Sequence, residues 1–244
     1  MARQPEGPPP PPVVQRLRVR YTKRGRLRFI SHRDFARAFE RALHRSGVPI
    51  AFSAGFSPHP KVSYAGAAPT GAASEAEYLE IGLAEQRDPE WVRAALDGAL
   101  PEGLDILAVV PAVPGEPGLA DRIEASTWRI ELPQVPVEVA AAALADFLAL
   151  DTLLVDRPTK DGVRQVDARA AIVAAWPVET ATCATLDVVV RHSTPAVRPD
   201  DVVTALRRAA GLSTPVAPVA TRLAQGLLDA APPQTAGHLV DPLG

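Results

Sequence analysis

The chain has 244 residues and a formal net charge of −2, with 47% hydrophobic and 22% charged residues. That is the composition of a soluble globular protein, long enough for two domains of roughly 100 residues each. Cys183 is the only cysteine, which excludes an intramolecular disulfide and a cysteine-based metal cluster. No apolar run approaches the roughly 18 residues that a membrane span needs. The N-terminal MARQPEGPPPPPVV lacks the apolar core of a signal peptide. The expectation is therefore a cytoplasmic protein with no membrane partner and no metal or other cofactor.

Residues 1–13 are Pro-rich and expected to form a disordered tail. Leu17, Val19 and Tyr21 then alternate with Arg16, Arg18 and Arg20, which predicts a half-buried strand with one basic face. Lys23, Arg24, Arg26 and Arg28 follow in the turn. The next stretch, FISHRDFARAFERALHRSG at 29–47, predicts a helix over 32–46. Ser31 is placed to cap it and Gly47 to end it. Phe35, Ala38, Phe39, Ala42 and Leu43 fall at helical spacing and form the buried stripe. Arg33, Arg37, Arg41 and His44 then line an adjacent exposed flank, with Arg45 beside them. Glu40 can pair with only one or two of these, for a few tenths of a kcal/mol.

The loop AFSAGFSPHPKVSYA at 51–65 interleaves aromatic groups with a cation. Phe56, His59 and Tyr64 beside Lys61 suit stacking on single-stranded nucleic acid; the alternative is that Phe52 and Phe56 plug the core beneath the loop. A strand is predicted over Tyr78–Leu83, and Glu75 and Glu77, which share a strand face, are expected to make salt bridges to nearby arginines. A helix is predicted over 88–100 and a short strand over Leu104–Val110. The Pro/Gly-rich run PAVPGEPGLADR at 111–122 reads as a linker.

The second half repeats the plan. Trp128, Ile130 and Leu132 alternate as a strand, a helix is expected at about 136–149, and Leu186–Val190 reads as a strand. A helix over 198–210 matches the 88–100 helix at an offset of 110, with Pro89 and Pro199 at the first helical position. A weak strand signal runs over Pro215–Arg222. The order β-α-β-β-α-β, read twice, makes the expected fold class α+β: two tandem ferredoxin-like domains with disordered Pro-rich termini. The expected boundaries are a tail at 1–13, a first domain with a basic face at 14–112, a linker at 113–125, a second domain at 126–226 and a loose tail at 227–244.

The small net charge conceals an asymmetry. Residues 16–61 hold twelve Lys and Arg against two acids, a net of +10, and the remainder carries a net of −12. A basic block inside a folded segment points to a polyanion. The repeat acts as an internal control, because the matching second helix, PVEVAAAALADFLAL, has no Lys or Arg. The fold therefore does not require that charge, and RNA is the expected partner. The expected contacts are Arg16, Arg18, Arg20, Lys23, Arg24, Arg28, Arg33, Arg37, Arg41, Arg45, Phe56, His59, Lys61 and Tyr64.

The run FISHRDFARAFERALHRSGVPIAFSAGFSPHPKVSYA, followed by GAASEAEYLEIGL, resembles a bacterial radical SAM-associated family whose domain has no known function. The likeness rests on Ser31, His32, Asp34, Arg37, Arg41, Arg45, Gly55, Phe56, Pro58, Pro60, Lys61, Ser74, Glu77 and Tyr78. In the second half, RPTKDGVRQVDAR looks like the family's basic segment, which adds Arg157, Lys160 and Arg164 to the RNA contacts. The AAPTGAAS run departs from the family's more proline- and leucine-rich segment. The resemblance implies a radical SAM protein as partner, and with the basic block it makes an RNA-binding accessory protein the leading expectation, with tRNA or rRNA as the RNA. Two alternatives stand beside it: a protein-interaction module that docks on the radical SAM enzyme, and a metal-independent endoribonuclease. The last draws on a weaker fold-level likeness to CRISPR RNA-processing endoribonucleases, with His32 as catalytic base, Lys61 or Arg37 as phosphate stabiliser and Tyr64 as positioning group. The chain lacks a P-loop, a GxGxxG run and the three-cysteine motif of radical SAM enzymes. His32-Arg33-Asp34 is no kinase triplet, because Phe39 stands where the metal-binding Asn belongs.

Overall fold

A computed structural model describes residues 10–160, 162–229 and 239–244. The chain divides into two compact units, Met1–Arg122 and Ile123–Pro242, apart from two terminal residues. The architecture is α+β, with four α-helices among the described residues, and no helix is long and apolar enough to cross a membrane.

In the first unit the elements run β1 (Gln15–Lys23), α1 (His32–Ser46), β2 (Val62–Ala65), β3 (Ala73–Leu83), α2 (Pro89–Asp97) and β4 (Ile106–Pro111). The strands pair in the order β4-β1-β3-β2, every pairing antiparallel. Alternation along β1 sends Leu17, Val19 and Tyr21 to the helix side, opposite Ile81, Leu79 and Glu77 of β3. Leu17, Val19, Tyr21, Leu79 and Ile81 join Phe35, Phe39 and Leu43 of α1 and Val92 and Leu96 of α2 in one core. The Tyr21 and Phe35 rings stack at 4.5 Å with an interplanar angle of 2°. Burial of each large apolar side chain stabilises the unit by roughly 1.5–3 kcal/mol.

α1 forms where its sequence signals place it. Ser31 accepts a hydrogen bond from the Asp34 amide at 3.2 Å, and Gly47 ends the helix at φ 68°, a left-handed conformation that glycine adopts without strain. The aromatic loop closes on itself before β2, with Ser53 donating its amide to the His59 carbonyl and accepting the His59 amide on Oγ.

The second unit runs β5 (Ala125–Leu132), α3 (Val137–Leu148), β6 (Leu154–Thr159), β7 (Gly162–Asp167), β8 (Ile172–Val178), β9 (Ala184–Arg191), α4 (Pro199–Ala210), β10 (Val219–Leu228) and β11 (Leu239–Val240). Its sheet has the order β10-β5-β9-β8, again antiparallel. α3 packs on α4, β8 and β9. The stretch read as a basic segment is a two-stranded hairpin, β6–β7, inserted between α3 and β8. Each strand buries a single valine, Val155 or Val166, among charged and polar neighbours, too little apolar pattern to mark a strand in the sequence. Two other readings shift. Within the expected loose tail, β10 extends to Leu228 and Leu239–Val240 pairs with it, whereas residues 230–238 of that tail, like 1–9 of the N-terminal one, lie outside the described residues. Within the expected linker, Leu119–Arg122 forms a 3-10 turn and Ala125 already opens β5.

Candidate nucleic-acid interface

Eleven of the twelve cations of residues 16–61 divide into two groups, and Lys61 stands apart just before β2. The strand β1 and the turn after it supply the first, and acceptors on β3 and the loops of the same unit engage it. Arg18 is 2% exposed: its guanidinium donates to Glu116 Oε2 at 3.0 Å and the Pro117 carbonyl at 2.8 Å, with Glu80 Oε2 at 3.8 Å. Arg16 pairs with Glu80 at 3.2 Å. Arg20 donates to the Glu75 carbonyl at 3.0 Å and lies over the Tyr78 ring. Lys23, 5% exposed, donates to the carbonyls of Ala68 and Pro69 at 3.1 Å each. Arg24 bridges Glu75 and Asp105, and its hydrogen bond to Glu75 raises its pKa further. The strand is therefore not a basic face. Arg18 and Lys23 are buried, and β3 and β4 bring up the carboxylates that a count over residues 16–61 omits. Glu75, inside β3, meets Arg24, an ion pair of the kind expected for it.

The second group sits on the turn Gly25–Phe29 and on α1. Arg26, Arg33, Arg37 and Arg41 are exposed. Among the described residues neither a carboxylate nor a hydrogen-bond acceptor pairs with Arg26, Arg28, Arg33 or Arg41, and Arg37 meets only Asp34, at 3.9 Å. An exposed pair at that distance contributes at most about 1 kcal/mol. Arg45 differs, because its guanidinium donates to the Ala99 carbonyl. On a helix rising 1.5 Å per residue, Arg33, Arg37 and Arg41 succeed one another at intervals of about 6 Å along one flank.

The aromatic residues separate as well. Phe56 stands at the loop tip, 69% exposed, and His59 is also exposed, whereas Phe52 is half-buried. Tyr64 is half-buried against Phe35, with ring centroids 5.8 Å apart. Burial first, and then the charge of Glu40, push its phenol up to about 12, so it stays protonated. His32 meets the Tyr64 ring edge-on at 4.8 Å. Lys61 does not join them. Val62 and Tyr64 pack against the core while Lys61 and Ser63 are exposed, so alternation puts Lys61 on the other face of the sheet. The phosphate stabiliser expected beside His32 would therefore have to be Arg37, on the helix itself.

In the second unit Arg157 is engaged in a structural contact. It donates to both carboxylate oxygens of Asp201, which is 6% exposed, and so ties the β6–β7 hairpin to the start of α4. Lys160 and Arg164 are exposed on that hairpin. Phe29, which the sequence reading did not single out, is 57% exposed beneath the Arg28 guanidinium. An aromatic residue just outside a helix stripe, between two cations, was the available signal. Among the described residues no group of three His, Cys, Asp or Glu side chains is placed to hold a metal ion.

No curated protein matches the chain. A crystal structure of an unknown protein from Galdieria sulphuraria aligns over 88% of this chain and 99% of that one, at 15% identity and a TM-score of 0.24. A family model matches residues 16–199, spanning both units from β1 to the first residue of α4: the chain belongs to DUF2344, a family of uncharacterized proteins conserved in bacteria.

Proposed function

We propose that this protein binds RNA through the exposed arginines of α1 and the turn before it, as an accessory to a radical SAM enzyme in RNA modification or processing. The observation that carries the reading is the division of the cations. Those of β1 are held by internal acceptors, whereas Arg26, Arg28, Arg33 and Arg41 have none among the described residues. Like charges along one helix flank repel, so the fold gains nothing from them, and α3 does without any. A phosphate chain supplies the missing counter-charge. The strand order of the first unit fits a ferredoxin-like domain, and the second fits the same plan with a hairpin inserted. The radical SAM partner rests on the sequence resemblance alone.

Titration of a fluorescent RNA at several salt concentrations tests the binding: affinity falls steeply with salt, and absence of binding at low salt refutes it. Capture of the radical SAM partner by Arg37→Glu/Arg41→Glu separates the accessory role from a docking module. Intact capture with lost RNA binding supports the RNA reading, and lost capture with unchanged RNA binding supports docking.

The His32–Tyr64 contact favours one further reading, cleavage of RNA without a metal. There His32 takes the proton of a ribose 2′-hydroxyl as that oxygen attacks the adjacent phosphorus, the P–O5′ bond breaks, the leaving 5′-oxygen takes a proton from water to become a hydroxyl, and a 2′,3′-cyclic phosphate remains. Incubation with RNA in EDTA beside His32→Ala decides it: cleavage lost in the variant supports His32 as base, and cleavage retained excludes it.

A further inference from the structure

The segment between β1 and α1 pairs an exposed aromatic ring with a charge that has no carboxylate partner. Arg28 and Phe29 close the 3-10 turn Gly25–Phe29, and the Arg28 guanidinium carbon lies 4.7 Å from the Phe29 ring centroid. Arg28 Nε is shielded from solvent and has no hydrogen-bond partner. The turn itself is anchored: Leu27 and Ile30 pack against the core, and the Arg28 carbonyl accepts the Gly71 amide at 2.8 Å. Phe29 alone stands out, 57% exposed between two buried-side neighbours. A phenyl group so placed adds little to the core, and the Arg28 charge beside it has no carboxylate partner among the described residues. One ligand chemistry suits the pair: an unpaired base that stacks on the open face of the ring, with its phosphate accepting from the terminal nitrogens of the guanidinium. One turn into α1, Arg33 begins the row that the following phosphates would meet.

We infer that Arg28 and Phe29 form a nucleotide seat that selects single-stranded over double-stranded RNA, an inference that rests on the RNA reading above. The faces of bases stacked inside a duplex are closed to Phe29, whereas the arginine row attracts either form. Selectivity for the single strand therefore belongs to the seat, and bulk affinity to the row.

Fluorescence anisotropy with a labelled single-stranded oligoribonucleotide, and with the same oligomer annealed as a duplex, tests the seat at fixed salt. The wild type binds the single strand about tenfold more tightly, and Phe29→Leu removes about that factor while leaving duplex affinity and the salt dependence unchanged. Phe29→Tyr keeps the preference. Because Phe29 is exposed, all variants keep the wild-type melting temperature. Wild-type affinity in Phe29→Leu, or equal binding of the two forms by the wild type, overturns the seat yet leaves the arginine row standing. Absence of binding to either RNA overturns both readings, and binding of poly-glutamate in place of RNA assigns the face to an acidic protein surface.

Discussion

Removing Arg33 and Arg41 together, as Arg33→Ala/Arg41→Ala, perturbs the proposed interface without touching the core, because both side chains are exposed and have no hydrogen-bond or ion-pair partner among the described residues. Five guanidiniums of the turn and α1 are free to meet phosphates: Arg26, Arg28, Arg33, Arg41 and the weakly paired Arg37. At about −0.7 per neutralised phosphate of a single strand, they give a log–log salt slope of about −3.5. The double variant lowers this to about −2.1. Over a roughly fourfold rise in salt, the wild type then loses about 100-fold in affinity and the variant only about 20-fold. Anisotropy titrations of one labelled oligoribonucleotide at four or more salt concentrations measure both slopes. An unchanged slope in the variant refutes the assignment of these arginines. A wild-type slope near about −8, the figure for all twelve cations, refutes the conclusion that β1 satisfies its cations internally.

Arg18→Ala should leave the salt slope alone and lower stability by about 2 kcal/mol in denaturant unfolding, since it removes a 2% exposed guanidinium from Glu116 and the Pro117 carbonyl. Phe39→Ala, at a site with 0% exposure in the core under α1, should cost about 3–5 kcal/mol by the same measurement and weaken RNA binding only through unfolding. His192 should make stability fall on mild acidification. The residue is exposed, but desolvation of the ring where Nε2 lies 2.7 Å from Ser126 Oγ, and then the Arg222 guanidinium, hold its pKa below the ordinary value. The unfolded chain therefore binds the proton first, so this contribution is complete above about pH 6.5 and is lost as pH falls toward the depressed folded value. Melting curves between about pH 7.5 and 5 should show that decline, and His192→Gln should flatten it.

The sequence alone determined the local structure of this protein, above all α1. Its cap, apolar stripe and terminal glycine are short-range signals, and the helix runs from His32 to Ser46 as they specify. The other three helices lie within the stretches marked by Pro89, the Ala-rich run and Pro199. The second-half hairpin was hidden because each of its strands buries only a single valine. What the tertiary structure decided is which charges remain available. Residues 16–61 count as +10 along the chain, but β3 brings Glu75 and Glu80 beside β1, and Asp105 and Glu116 arrive from around β4. Charge pairing depends on distance in space, falling off within about 10 Å, and strands paired across sixty residues of sequence lie only about 5 Å apart. Side-chain alternation set Lys61 on the face opposite Tyr64, and the packing of α1 brought His32 against that ring. Side-chain period fixes what each residue can face, and only the fold fixes what stands there.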